Sequence, residues 1–399
     1  MEWMKALLLE NIHPDAKAAL AHAGIEVDAR AGSLAGPALT EALAGATIVG
    51  IRSNTKLTAD VLASAPDLVA IGAFCIGTNQ IDLQAAGRRG VAVFNAPYSN
   101  TRSVVELVIA EIIALSRHLS DKTAQMHAGV WDKSATGSHE VRGRTLGIVG
   151  YGNIGSQLSV IAEALGMSVI YYDISDKLAL GNAKRADTLE QLLAAADFVT
   201  LHVDGRPGNA GFFGTEQFAA MRPGAYFLNL SRGFVVDINA LADAVKHGRV
   251  AGAAIDTYPT EPNNGSPFVS PLQGLPNVIL TPHVGGSTEE AQKDIGNYVA
   301  GKLIDYITTG SSIMSVNLPN VAAPEPQGRR VAHIHNNVPG VLAALNAALS
   351  AHQANIAFQS LATRGDIGYA ITDVTTAEPG LVTALTAMPE TIRVRLLTA

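Results

Sequence analysis

A chain of 399 residues exceeds what one compact domain usually holds, so two or three domains are expected. With 48% hydrophobic and 16% charged residues it should be globular, and a net charge of −7 argues against nucleic acid as a partner. The single cysteine, Cys75, excludes an intrachain disulfide, no apolar run approaches the ~18 residues of a membrane span, and the N-terminus lacks a signal-peptide pattern, so the chain reads as cytoplasmic.

Residues 1–98 alternate short strands and helices. Ala6–Leu9, Thr47–Ile51, Val69–Ile71 and Val91–Phe94 read as strands, and Pro14–Ala23, Ala38–Leu43 and Asp60–Ala65 as helices between them. Such alternation predicts a parallel sheet. Arg52 and Ser53 end the second of these strands, where open parallel sheets bind ligands, and a cation with a hydroxyl suits an anionic substrate. The turn-rich stretch 95–103 precedes one long apolar-periodic helix, from Val104 to about Leu119. His118, His127, Trp131, Lys133 and His139 lack metal-ligand spacing and read as structural or surface residues, so no metal is expected.

From Thr145 to Asp173 the pattern is specific. An apolar run, Leu146–Val149, meets Gly150, Gly152 and Gly155 at G-x-G-x-x-G spacing. Ile154, Leu158, Ile161 and Leu165 follow at helical spacing, and a second strand ends on Asp173. This strand, glycine turn, helix and acid describe a dinucleotide site, with phosphates on the helix N-terminus. Asp173 would accept hydrogen bonds from the adenosine ribose hydroxyls and would repel a 2′-phosphate, which favours NAD over NADP. Further on, four predicted strands end in His202, Arg232, Asp256 and His283. Glu289–Thr308 reads as one long helix and the proline-rich 317–328 as a linker. The last 70 or so residues read as β-α-β-β-α-β, a ferredoxin-like order.

Oxidising a 2-hydroxy acid requires a base, a partner that tunes it, and donors for the carboxylate. His283 is the candidate base, Glu261 its partner and Arg232 the carboxylate fork. Spacing alone leaves open whether the three converge.

The segments GYGNIG, NLSRGFVVD, AAIDTYPTEP and LTPHVGGST resemble the D-isomer-specific 2-hydroxyacid dehydrogenase family. FCIGTNQIDL, FNAPYSNTRSVVELVI, GGSTEEAQ and GRRVAHIHNNVPGVL are similar to the members that oxidise 3-phospho-D-glycerate at the start of L-serine synthesis. The resemblance implies an α/β fold in which a Rossmann-type NAD domain, 99–287, is inserted in a flavodoxin-like substrate domain, 1–98 and 288–318. A linker, 319–328, would lead to a ferredoxin-like ACT regulatory domain, 329–399. It implies that Arg232, Glu261 and His283 are catalytic, and that Arg52, Ser53, Asn100 and Arg232 bind substrate. Cofactor contacts would come from Gly150, Gly152, Asn153, Ile154, Gly155, Asp173, Leu230, Ser231, Arg232, Asp256, His283, Gly285 and Gly286. Asp256 would meet the nicotinamide carboxamide. L-Serine would bind at His335, Asn337 and Asn355 between paired subunits and inhibit a homotetramer.

The chain departs from that pattern at Asn54, where a second arginine is usual, and near Ala31, where a lysine is expected and Arg30 is adjacent. Val338 replaces a residue that is often arginine. Fewer cations weaken a phosphate grip. A related D-2-hydroxyacid dehydrogenase or a 2-oxoglutarate reductase therefore stays open, as does a non-catalytic NAD-binding regulator, which the complete set Arg232, Glu261 and His283 opposes.

Overall fold

The computed structural model describes residues 4–262, 265–326, 328–376 and 378–398; residues 1–3 of the N-terminus and Gln327 of the expected linker lie outside them. The chain divides into two units, Met1–Ser99 with Gln292–Ala399, and Asn100–Ala291.

The first unit begins with β1 (Lys5–Leu8), α1 (Pro14–His22), β2 (Glu26–Ala29), α2 (Gly36–Leu43), β3 (Ile48–Ile51), α3 (Ala59–Ala63), β4 (Ala70–Ala73), α4 (Leu83–Arg88) and β5 (Ala92–Asn95). The strands form a parallel sheet in the order β2-β1-β3-β4-β5. The chain reverses direction across this sheet between β1 and β3, so their carboxyl ends open the crevice where ligands of such sheets bind. β3, β4 and β5 are buried along their whole length, as continuous apolar runs in a two-sided parallel sheet should be. β2 carries no such run: EVDA is a half-exposed edge strand, which is why periodicity does not reveal it.

The second unit holds α5 (Thr101–Ser116), α6 (Leu119–His127), β6 (Thr145–Val149), α7 (Asn153–Ala164), β7 (Ser168–Tyr172), β8 (Lys184–Arg185), α8 (Leu189–Ala195), β9 (Phe198–Leu201), α9 (Thr215–Ala220), β10 (Ala225–Asn229), α10 (Ile238–Lys246), β11 (Val250–Ile255) and β12 (Val278–Leu280). The single helix expected from Val104 to Leu119 is two. α5 stops at Ser116, His118 takes a left-handed conformation at φ 50°, and α6 starts anew. The seven strands are parallel in the order β12-β11-β10-β9-β6-β7-β8. Here the reversal falls between β6 and β9, directly under the glycine turn.

α11 (Glu289–Thr309) returns the chain to the first unit, where Ile295, Val299, Leu303 and Tyr306 join the core beneath the first sheet. Val316 N then donates to Val93 O at 2.9 Å, beside an antiparallel bridge from Ser315 to Phe94. The tail comprises β13 (Arg329–Asn336), α12 (Val341–Ala351), β14 (Asn355–Arg364), β15 (Ile367–Thr376), α13 (Leu381–Thr386) and β16 (Thr391–Thr398), with an antiparallel sheet ordered β14-β15-β13-β16. Strand alternation gives this sheet two apolar faces. Val331, Ala370 and Val374 pack with Leu345, Leu349, Leu381 and Leu385 of α12 and α13. Ala332, Ile334, Tyr369 and Ile371 belong instead to the core of the first sheet and α11. The start of the expected linker is packed as well: Val321 is buried, and Ser312 Oγ donates to Pro319 O (2.5 Å) and accepts from Val321 N (2.9 Å).

Candidate active site

The glycine turn is built by close approach. Gly150 sits at φ 93°, its N–H donates to Tyr172 O at 2.9 Å, and a Cβ on it would lie 2.6 Å from His202 O. A Cβ on Gly155 would lie 2.4 Å from Gly150 O, so only glycine lets α7 come this near β6. Gly152 differs: a Cβ there would meet nothing within 4 Å, and its φ of −83° suits any residue. The protein itself gives no reason for glycine at 152; a ligand approaching the backbone does. Gly152 is the N-cap of α7 and carries no side-chain cap, and the first turn, with Asn153 and Ile154, has no acid. The helix N–H groups are thus left for an anion, which fits the diphosphate of NAD. Asp173 accepts from Tyr151 N and Ser175 N, each at 2.8 Å, so its carboxylate is fixed at the tip of β7.

Residues at and just beyond the later strand ends form a second cluster. His283 Nδ1 and Glu261 Oε2 are 2.8 Å apart. The hydrogen bond to Glu261 raises the pKa of His283, against the opposing effect of burial. Burial is the largest single influence on Glu261 and would raise its pKa, but the hydrogen bond and charge of His283, the Tyr258 N–H and the Arg232 charge together outweigh it, and the net shift is downward. His283 is left-handed at φ 55°, following Pro282. Arg232 acts electrostatically on both members of the pair. Its loop is wound by Asn229, whose Oδ1 accepts from Ser231 N and Oγ and whose Nδ2 donates to Arg232 O. Gly233 explains the approach: a Cβ there would sit 1.9 Å from the Tyr258 carbonyl carbon, and Tyr258 N in turn donates to Glu261 Oε1 at 3.2 Å. The structure therefore brings Arg232, Glu261 and His283 together, which spacing alone left open. Leu230 and Ser231 lie buried in the same loop.

Asp256 is buried and its carboxylate accepts from Thr281 Oγ1 (2.6 Å), Val284 N (2.8 Å) and Gly285 N (2.8 Å). It fixes the turn that carries His283. Three of about four acceptor positions are used, leaving one on Oδ2. Asn100 Nδ2 lies where a Cβ on Gly286 would be, at 2.5 Å, so Gly286 is the residue that lets Asn100 sit against the turn. His202 directly follows β9 and is half-buried: desolvation of its ring pushes the imidazole pKa down to about 3, with Nε2 3.0 Å from Thr200 Oγ1.

Arg52 and Ser53 belong to the other unit, at the carboxyl end of β3. The main chain of Arg52 is held by Glu10 and Gln80. Arg30 is tied to Asp28 by a two-pronged contact at 2.8 and 3.2 Å. In the tail, His335 is buried on β13, and Asn337 Nδ2 donates to Gly365 O at 3.0 Å. Asn355 is elsewhere. The register pairs His335 with Gly368 at one end of β15 and Asn355 with Thr376 at the other. Within one chain these three do not share a site.

Two acids escaped the sequence reading. Glu111 is buried in α5, with both carboxylate oxygens unpartnered. Its signal was present: it falls on the apolar stripe of Val104, Val108, Ile112 and Leu115, where a charge is out of place. Glu10 follows the apolar run of β1 directly.

A family model described as the NAD binding domain of D-isomer specific 2-hydroxyacid dehydrogenases matches residues 109–285. The D-3-phosphoglycerate dehydrogenase of Haemophilus influenzae is 50% identical over 398 residues, covering 99% of this chain and 97% of that one. That of Escherichia coli is 50% identical over 399 residues, with the same coverage. A crystal structure of a glyoxylate reductase from Paecilomyes thermophila aligns with a TM-score of 0.69 at 25% identity, over 78% of this chain and 97% of that one. With these relatives matched over almost their whole length, and with a glycine turn and an Arg-Glu-His cluster on one nucleotide-binding sheet, the chain belongs to the D-3-phosphoglycerate dehydrogenases of the D-isomer-specific 2-hydroxyacid dehydrogenase family.

Proposed function

We propose that the protein oxidises 3-phospho-D-glycerate to 3-phosphohydroxypyruvate with NAD, the first step of L-serine synthesis. The observation that carries this reading is the His283–Glu261 pair with Arg232 beside it. NAD, when bound on the glycine turn, supplies the hydride acceptor. His283 takes the proton of the substrate's C2 hydroxyl. Glu261 fixes the ring through Nδ1 and stabilises the imidazolium that results. Arg232 grips the carboxylate and steadies the oxygen on C2 as it becomes a carbonyl. Asp256 holds the His283 turn, with one acceptor position left for the cofactor's carboxamide. Arg52, Ser53 and Asn100 are assigned to the substrate.

One observation favours a second reading, a related 2-hydroxy acid or 2-oxoglutarate as substrate. Asn54 offers no cation, and Arg30, the neighbour of Ala31, is committed to Asp28. We also infer that the tail is an ACT module that binds L-serine and inhibits the enzyme. Because Asn355 lies at the opposite end of β15 from His335 and Asn337, a site made of all three needs a second copy, in keeping with a homotetramer. Such an enzyme works in the cytoplasm; among the described residues no helix is long and apolar enough to cross a membrane.

The test is NADH formation by the full-length protein across 3-phosphoglycerate, D-lactate and D-2-hydroxyglutarate, with and without L-serine. 3-Phosphoglycerate should give the highest kcat/KM, L-serine should lower its turnover, and His283→Ala should lower kcat by about 10² to 10⁴. A preference for an unphosphorylated acid selects the second reading, and unchanged turnover in His283→Ala refutes the catalytic assignment.

A further inference from the structure

At the carboxyl end of β3 the chain turns sharply through Arg52, Ser53, Asn54 and Thr55. Three backbone N–H groups of this turn point at one side chain. Glu10 Oε1 accepts from Arg52 N at 3.2 Å and from Thr55 N at 2.9 Å, and Glu10 Oε2 accepts from Asn54 N at 2.9 Å. From the other side, Gln80 Nε2 donates to Arg52 O at 2.6 Å and to Gly77 O at 3.3 Å. Gln80 is itself fixed, because its main chain joins the far side of the same turn through Leu57 N to Gln80 O at 2.9 Å. Both side chains are deeply buried, Glu10 at 7% and Gln80 at 4% exposure. A buried carboxylate is costly unless its oxygens are satisfied. Here all of that satisfaction comes from the turn that presents Arg52.

The place is informative. The turn and Glu10 stand at the ends of β3 and β1, the pair between which the chain reverses across the five-stranded sheet. In sheets of this order, free N–H groups at that point are a natural cradle for a ligand's anion. In this protein an internal carboxylate already occupies the cradle. A negative ligand there must be gripped by side chains, and the guanidinium of Arg52 is the cation whose main chain the clamp holds, with Lys56 the next cation along the turn. Glu10 also sits at φ 67° and Asn11 at φ 52°, two successive left-handed non-glycine residues. Such conformations are disfavoured and persist where the surroundings dictate them. Glu10 is held by its side chain and by its own N–H, which donates to Gly32 O at 3.2 Å.

We propose that Glu10 and Gln80 are positioning residues: as a clamp on the main chain of Arg52 they set its guanidinium for the charged end of the substrate. The clamp supplies affinity by ordering Arg52 before binding. This rests on the assignment of Arg52 to the substrate made above.

The experiment is steady-state kinetics on the full-length protein with 3-phosphoglycerate and NAD varied separately, for Arg52→Ala, Glu10→Ala, Glu10→Gln, Gln80→Ala and the double variant Arg52→Ala/Glu10→Gln. Glu10→Ala and Gln80→Ala should raise KM for 3-phosphoglycerate roughly tenfold. Their kcat and their KM for NAD should stay within about twofold, a split that a general loss of structure would not give. Glu10→Gln should have the smaller effect, because it keeps one acceptor oxygen and sets an amide donor against Asn54 N–H. In the Arg52→Ala background, Glu10→Gln should add nothing, since the clamp acts through Arg52. If Arg52→Ala leaves the KM for 3-phosphoglycerate unchanged, the assignment of Arg52 is wrong. If Arg52→Ala raises it while Glu10→Gln and Gln80→Ala do not, the clamp alone is overturned. Parallel losses in kcat and NAD affinity, or additive effects in the double variant, also overturn it. Should Glu10→Ala fail to fold, Glu10→Gln and Gln80→Ala decide the matter.

Discussion

A histidine accepts a hydroxyl proton only while it is neutral, so the partner that steadies His283 also sets where on the pH scale it works. The hydrogen bond and charge of Glu261 raise the pKa of His283 above its ordinary 6.5. The acid limb of kcat/KM for oxidation should therefore lie above pH 6.5, with activity lost as pH falls through it. Glu261→Gln removes the charge and should move that limb to lower pH, while loss of ring orientation lowers kcat by as much as ~10⁴. A pH–rate profile in which the limb stays put would show that Glu261 does not tune the base. Glu111 makes a separate prediction. Burial, with the Asp256 charge adding to it, pushes its carboxyl up to about 8 from an ordinary 4.5. Between those values the folded chain keeps a proton that the unfolded chain has released, so rising pH favours unfolding. Over that window the loss is on the order of a few kcal/mol. Glu111→Gln should abolish it, and thermal melts from pH 5 to 8 would reveal a wild-type Tm falling against a flatter variant; parallel curves would disprove the burial of a protonated acid.

At the scale of one element, the glycine turn separates folding from binding. Gly155 is needed by the fold: Gly155→Ala would force its Cβ to 2.4 Å from Gly150 O and should cost about 1–3 kcal/mol. Gly152 has open space around a Cβ, so Gly152→Ala should leave Tm within about a degree or two while weakening NAD binding at least tenfold. Fluorescence titration with NADH beside a melt would separate the two, and a Gly152→Ala protein with full NADH affinity would contradict the placement of the diphosphate. This element was almost wholly legible beforehand, because one local stretch contains the strand, the turn, the helix and the acid. α6 was not. The break at His118 is made by a left-handed backbone, and the apolar period of α5 gives no warning of it.

At the scale of the whole chain, the tail is attached through its sheet rather than hung from a tether. Arg330 and Asp373 are fully buried and joined by two bonds, at 2.5 and 2.7 Å, and Arg330 Nη1 reaches Thr309 O and Pro324 O, each at 2.7 Å. Tyr369 OH donates to Gly310 O at 2.6 Å across the same seam. Arg330→Met leaves a buried carboxylate without its counter-ion and should cost about 3–5 kcal/mol, whereas the pair Arg330→Met with Asp373→Leu should recover much of that loss. Chemical denaturation of the three proteins measures this, and a neutral Arg330→Met would show that the seam does not need the ion pair. At the start of the proline-rich stretch, Leu318 and Val321 are apolar and buried against the first sheet.

Local pattern determined much of this protein without any structure. The alternation of strand and helix, the glycine spacing and the acid at the tip of β7 are short-range features, because steric fit and hydrogen bonding within about 30 residues dictate them. The strand ends named the candidate base and the carboxylate fork, and the loop after Asp256 named the partner, Glu261. Tertiary structure alone decided that they meet, since Gly233 against Tyr258 and the three bonds to Asp256 join segments dozens of residues apart. It also decided that Asn355 stands apart from His335, through strand register, and that Glu10 serves Arg52 from 42 residues away. Contacts between distant segments depend on packing and register, which no local run of residues encodes.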